Sequence, residues 1–349
     1  MTSFPPLLTR RPLDLDGSVE LAVLERAGLI ESRHIGAAVV VAPDGSVLRE
    51  LGDSSAEIYA RSSLKLLQAV AVLRSGATLD GERAVLATAS HAGTDGHVRV
   101  VSEILALAGL TEDDLRCPAD WPLDREAAYS ARRRGDGKRR ITMNCSGKHA
   151  SFLLACVVND WPTASYLDPS HPLQQLVRTT IEELTGEGVG TVGIDGCGAP
   201  VFGTSLRGLA SAVGRISGAA RAGGDPLAAR LAAAILVDGW AIDGPGRATT
   251  VVIERLGLVA KNGAEGVMVL GAPDGTAVAV KALDGSNRAT TLVALELLVS
   301  VGALDRALAD AVIADTTERV LGGGVAVGEL RASLSLFSVS GALPLRGGC

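Results

Sequence analysis

The 349-residue sequence predicts an α+β fold, an antiparallel sheet with helices packed on it and a helical subdomain set into the chain. Three observations predict it. Short Val-, Ile- and Ala-rich runs follow one another with only turn-length gaps, too close for the long crossovers that parallel strands need. Roughly residues 76–185 read as helices joined by irregular segments. Hydrophobic residues make up 47% of the chain against 21% charged, ample for a large core. With no internal repeat and no low-complexity linker, the whole of 1–349 is read as a single domain.

The elements follow in order. Residues 35–42 and 46–51, separated by Pro43-Asp44-Gly45, read as a hairpin. Residues 62–74 read as a helix, with Leu64, Leu67, Val70 and Ala71 on one stripe and a stop at Gly76. Helices are expected over 80–89 and 98–110. The Pro-, Gly- and Arg-rich stretch 116–140 reads as irregular, with Arg132-Arg133-Arg134 and Lys138-Arg139-Arg140 as a solvated loop. Residues 146–158 form a strongly apolar helix, and 172–183 another, entered through His171-Pro172. A short strand over 189–194 leads into the turn Asp195-Gly196-Cys197-Gly198, with helices at 205–212 and 226–237. Three strands are expected at about 251–260, 266–270 and 276–282, with turns at Asn262-Gly263 and Asp274-Gly275, and a last helix over 289–301.

Composition excludes several classes of function. A net charge of −6 leaves no basic excess for nucleic acid or an anionic membrane surface. The longest apolar stretches, such as 231–237, are far short of the roughly 18 residues a membrane span requires. The first residues, Met1-Thr2-Ser3-Phe4-Pro5-Pro6, lack a basic run before an apolar one, so no secretory leader is expected. Five cysteines without a dense pattern suit a reducing cytoplasm. No dinucleotide fingerprint or phosphate loop is present.

Five strings carry chemistry. In Arg61-Ser62-Ser63-Leu64-Lys65, a helix opening at Ser62 sets Ser62 and Lys65 one turn apart on one face. A lysine there deprotonates the serine if burial or a neighbouring cation lowers its pKa. Alone, the same string is more often a helix cap followed by a surface lysine. Ser90-His91, before a Gly-rich turn and His97, offers a hydroxyl and two imidazoles. Asn144-Cys145-Ser146-Gly147-Lys148-His149 puts a thiol at a helix start, with Lys148 and His149 turned to the same face. Asp195-Gly196-Cys197 exposes an acid and a thiol at a strand end. Cys145 and Cys197, with His149 or Asp195, make a donor set for a borderline-soft metal such as zinc, although isolated cysteines are more often plain core residues. Lys261-Asn262-Gly263 sets a lysine at a strand end, where a hairpin tip is the commoner role.

In this order, and together with His171-Pro172-Leu173-Gln174 and Asn262-Gly263-Ala264-Glu265-Gly266, these strings resemble the type II asparaginase family of the rhizobial inducible, Ser-Lys kind, from about Val19 to Arg288. The resemblance implies a fold of the serine β-lactamase and penicillin-binding-protein type and L-asparagine as the small-molecule substrate. It implies Ser62 as nucleophile with Lys65 as its base, and Ser90 with Lys261 as a second Ser-Lys pair. It implies Zn2+ on Cys145, Lys148 and Cys197, organising substrate rather than generating the nucleophile. Arg61, His149 and Asp195 are then the candidates for holding substrate. A second buried ammonium beside the first would lower the pKa of one of the two lysines. Leu66 departs from the family, which has proline after the motif lysine. A cytoplasmic homodimer, with no nucleic-acid or membrane partner, is the expected assembly. Two other functions fit the same residues: a cysteine-dependent amidase using Cys145 with His149, and a non-catalytic protein of this fold that binds a small amino acid.

Overall fold

Alternating apolar residues and tight turns build the first layer. The computed structural model describes residues 10–221, 223–333 and 336; the amino-terminal hexapeptide and Cys349 lie outside them. Strand β1 (Val19–Arg26) turns back into the long β2 (Leu29–Val41), which pairs with β3 (Val47–Leu51) through the expected hairpin. The short β4 (Glu57–Tyr59) leads to a 3-10 turn, Arg61–Leu64, that runs directly into α1 (Lys65–Arg74).

Between Arg74 and Val192 every helix or strand is helical: α2 (Gly81–Thr88), α3 (Asp95–Leu107), α4 (Arg125–Arg134), α5 (Ser146–Val158) and α6 (Pro172–Thr185), with short 3-10 turns. Helix α4 lies inside the stretch expected to be irregular. Its ends were written in the sequence: Asp124 caps it by accepting from the Ala127 N–H, and Gly135 closes it in a left-handed conformation. Arg132–Arg134 are its last turn rather than a loop, and Arg132 stacks 4.7 Å over Trp121.

Strands β5 (Val192–Ile194) and β6 (Pro200–Ser205) join β4 in a small antiparallel sheet ordered β4-β6-β5. Helices α7 (Leu206–Ser217) and α8 (Pro226–Val237) follow. The strand expected over 251–260 is instead helix α9 (Ala248–Leu256) and the beginning of β7 (Val259–Gly263). The β-branched run Thr249–Ile253 reads as a strand, but Thr249, Thr250, Val252 and Ile253 form one buried helical stripe, and Gly257 at φ +64° ends the helix. Strands β8 (Val267–Gly271) and β9 (Ala277–Ala282) and helix α10 (Thr290–Ser300) fall within a residue or so of their expected positions. Helix α11 (Arg306–Thr316) and strands β10 (Val320–Gly322) and β11 (Val325–Ala332) were not anticipated.

The main sheet runs β10-β11-β1-β2-β9-β8-β7, with β3 also paired to β2, and every pairing is antiparallel. This is the α+β, antiparallel arrangement the strand spacing predicted. Helices α7 and α10 both pack on β8 and β9, burying the all-apolar strand Val267–Gly271. Strand β7 has one strand neighbour, β8, and packs on its other side against α9 and the Arg61–Leu64 turn. That places the end of β7 next to the start of α1.

Candidate active site

Strain marks the turn before α1. Arg61 has φ +52°, a left-handed conformation that costs a side-chain-bearing residue of order 1–3 kcal/mol unless its surroundings enforce it. They do so here. The Arg61 guanidinium donates to Asp195 from Nε at 2.9 Å and pairs through Nη2 at 2.8 Å. Strand β7 presses from the other side, where a Cβ on Gly263 would stand 2.7 Å from the Ala60 carbonyl oxygen, so only glycine permits the approach. The turn therefore presents Ser62 at fixed geometry. Ser62 is half-buried, and its hydroxyl has no side-chain hydrogen bond among the described residues, whereas Ser63 turns inward to the Lys261 carbonyl.

Behind it lie two buried lysines. Lys65 Nζ donates to Ala89 O at 2.6 Å, Ser90 Oγ at 3.0 Å and Cys145 Sγ at 3.1 Å, filling all three of its N–H positions. Lys261 Nζ also lies 3.0 Å from Ser90 Oγ and meets Asn262 through its carbonyl at 2.7 Å and its side-chain oxygen at 3.0 Å. One hydroxyl thus stands between two amines. Burial, and then the Lys65 charge, lower Lys261 to about 7. Lys261 is therefore the lysine whose proton affinity the pair depresses, and near neutral pH it offers a free lone pair to Ser90.

Helix α5 brings the third group. Lys148 Nζ lies 3.1 Å from Cys197 Sγ, and both side chains are buried. Hydrogen bonding between the two sulfurs separates them, pushing Cys145 up and holding Cys197 well down, with the Lys148 charge adding to the second shift. Burial opposes the charge on Lys148, but the facing Cys197 and Cys145 sulfurs outweigh it and raise its pKa. Beside them, His149 is buried, and burial lowers its pKa. Its Nδ1 engages the Tyr166 hydroxyl at 2.7 Å, while its Nε2 is buried with no partner among the described residues. No group of three or more His, Cys, Asp and Glu side chains among the described residues is arranged to hold a metal ion. Two sulfurs of the type zinc takes and the Lys148 amine, a donor only when neutral, converge next to an unpartnered imidazole nitrogen.

Sequence reasoning thus named residues that the fold gathers from α1, the segment after α2, α5, the turn after β5 and β7. His91 and His97 belong to the interior instead. Their rings stack at 5.1 Å. The Ser146 hydroxyl donates to Ile141 O and so accepts from His91 Nε2, while His91 Nδ1 accepts from the Gly93 N–H, which fixes a neutral ring. Two further groups beside the cluster, Asp243 and Arg247, were not singled out. They lie between a 3-10 turn and α9 in a Gly- and Pro-rich segment with no motif spacing.

Solved structures to which the chain is similar include Mglu, at 15% identity over 77% of this chain and 67% of that one, with a TM-score of 0.35. They also include a β-lactamase from Mycobacterium bovis (18%, 81% and 95% covered, TM-score 0.35) and a Bacillus glutaminase (11%, 77% and 91% covered, TM-score 0.34). The chain spans between 59% and 67% of the Mglu chains. No curated protein matches the sequence. The L-asparaginase II family matches residues 22–332, nearly the whole described chain, and the protein belongs to that family, as an amidohydrolase.

Proposed function

We propose that the protein hydrolyses the side-chain amide of L-asparagine through a Ser62 acyl-enzyme, releasing L-aspartate and ammonia. The observation that carries this reading is the Ser90 hydroxyl held 3.0 Å from both Lys65 and Lys261, with Lys65 the first residue after the strained turn that carries Ser62. A proton passes from Lys65 through Ser90 to neutral Lys261. Lys65, now uncharged, takes the Ser62 proton as Ser62 Oγ bonds to the carboxamide carbon. The C–N bond breaks, and ammonia leaves with a proton returned through the lysine pair. Water then cleaves the β-aspartyl ester, regenerating Ser62. Arg61 and Asp195, opposite in charge and held at the mouth of the turn, are suited to the substrate's α-carboxylate and α-ammonium.

In this reading Cys145, Lys148 and Cys197 hold zinc, with His149 beside them. Bound there, the ion supplies a fixed positive charge that organises substrate. Lys148 must give up its proton to become a ligand, so zinc and protons compete for it. The cysteine-dependent alternative fares worse, because a Cys145 thiol pushed up in pKa is a poor nucleophile.

Ser62→Ala in otherwise folded protein should lower ammonia release from L-asparagine on the order of 10^3-fold or more. Near-normal turnover in that variant overturns the reading. Activity abolished by iodoacetamide in zinc-depleted protein, with Ser62→Ala still active, would favour the thiol mechanism instead.

A further inference from the structure

We propose that Tyr166 is a positioning residue that holds His149 with its proton on Nε2, which makes His149 a hydrogen-bond donor to a carboxylate oxygen of the substrate and bars it from ligating a metal ion. The choice of acceptor rests on the L-asparaginase reading above; the placement of the proton does not.

The hydrogen bonds decide which ring nitrogen carries the hydrogen. His149 and Tyr166 are both fully buried. Among the described residues the Tyr166 hydroxyl has two partners: the Arg116 N–H donates to its oxygen at 3.0 Å, and His149 Nδ1 lies 2.7 Å away. The phenol has one proton to give, and an N–H cannot receive it, so it goes to Nδ1. Were Nδ1 protonated instead, the Tyr166 proton and the Nε2 lone pair would both be buried without a partner; with the proton on Nε2, that N–H alone is. Burial keeps the phenol protonated and the imidazole neutral, in line with this assignment. A metal-bound imidazole has the opposite polarity, with a bare nitrogen on the ion and an N–H given to an acceptor behind it.

The unpartnered N–H belongs to the cluster of lysines and thiols. Cys145 stands one helical turn before His149 at the start of α5, and its Sγ accepts from Lys65. Tyr166 is itself held in place, its carbonyl accepting from Gln174 Nε2 at 2.8 Å. The segment around it lies against the Cys197 turn: a Cβ on Gly198 would stand 3.6 Å from Leu167 Cδ1 and 3.9 Å from the Arg116 carbonyl oxygen. Two residues before Cys197, Asp195 holds Arg61, the neighbour of Ser62. A protonated Nε2 gives a hydrogen bond but cannot accept one from an ammonium group. Of the two charged ends of an amino-acid substrate, only the carboxylate fits it.

Nitrogen-15 NMR of the full-length, histidine-labelled protein reads the tautomer directly. The chain has five histidines, and His149→Gln assigns the signals of interest. The native protein should show a protonated Nε2 and a bare Nδ1 at His149; a protonated Nδ1 overturns the proposal. His149→Leu should raise KM for L-asparagine about tenfold or more, and Tyr166→Phe about threefold, with kcat changed less. His149→Gln, whose amide N–H replaces that of Nε2, should stay near native. β-Alaninamide, the same amide without the α-carboxylate, should bind the native protein and the variants alike, measured as substrate or as competitor. Equal losses on both amides show that the carboxylate is not the acceptor and overturn the proposal. Zinc titrated into metal-free His149→Leu should bind within about threefold of native. A loss as large as in Cys197→Ala makes His149 a ligand and likewise overturns it. If His149→Leu does not fold, the native NMR signals and Tyr166→Phe decide. Turnover retained in Ser62→Ala would sink the asparaginase reading alone, because the NMR and zinc measurements need no turnover.

Discussion

Lys261 shows how a residue's chemistry follows from its setting. In water a lysine is almost wholly protonated at neutral pH. Here burial and the charge of Lys65 bring it to about 7, and its direct partners, Ser90 and Asn262, are uncharged oxygens that do not neutralise an ammonium. Because the depressed pKa leaves Lys261 uncharged above about 7 and charged below it, the proposed proton path is open on the alkaline side and closes as pH falls through about 7. Ammonia release should therefore show an acid limb near that pH. Lys261→Met should lose most turnover and, in the residual rate, the limb itself; a variant with unchanged rate and profile removes Lys261 from the mechanism. The sequence made Ser62, Lys65, Ser90 and Lys261 visible as serines and lysines beside turn signals. It held no sign that Ser90 serves both lysines, because a hydrogen bond between residues 171 positions apart has no local pattern. Asp243 and Arg247 were invisible for the same reason.

At the scale of elements, α5 depends on one close approach. A Cβ on Gly147 would stand 2.4 Å from the Leu86 carbonyl oxygen of α2, so glycine lets the helix start lie against its neighbour and aims Cys145 and Lys148 at Cys197. Gly147→Ala should destabilise the protein by about 1–3 kcal/mol through overpacking. Urea unfolding measures this directly, and a midpoint equal to that of the native protein would show that the contact is slack. The boundaries of α5 and α8 were legible to the residue, because apolar periodicity and their flanking residues agree. Helix α9 was not, because its β-branched run satisfies a strand pattern until packing selects the helical stripe. Strands β10 and β11 escaped for a related reason: β11 finds its partner in β1, some three hundred residues earlier.

For the molecule as a whole, zinc and folding should be linked. On the proposed reading, an ion held by Cys145 and Lys148 on α5 and by Cys197 in the turn after β5 would bind the native chain more tightly than the unfolded one. Free zinc at 100 times its Kd should stabilise the protein by about 2.7 kcal/mol. Purified protein should carry near-stoichiometric zinc that falls in Cys145→Ala and Cys197→Ala, with the zinc-dependent rise in Tm falling alongside it; zinc content unchanged in both variants would remove the site. The arrangement of residues also fixes an order of events. Arg61 reaches across 134 positions to Asp195, and Ser90 across 171 to Lys261, whereas α2, α3 and α5 build from local contacts. Loop closure over such spans is slow compared with helix formation. During refolding, helical signal will return before any turnover does, and a chain halted before β7 docks will have most of its helices and none of its catalytic power.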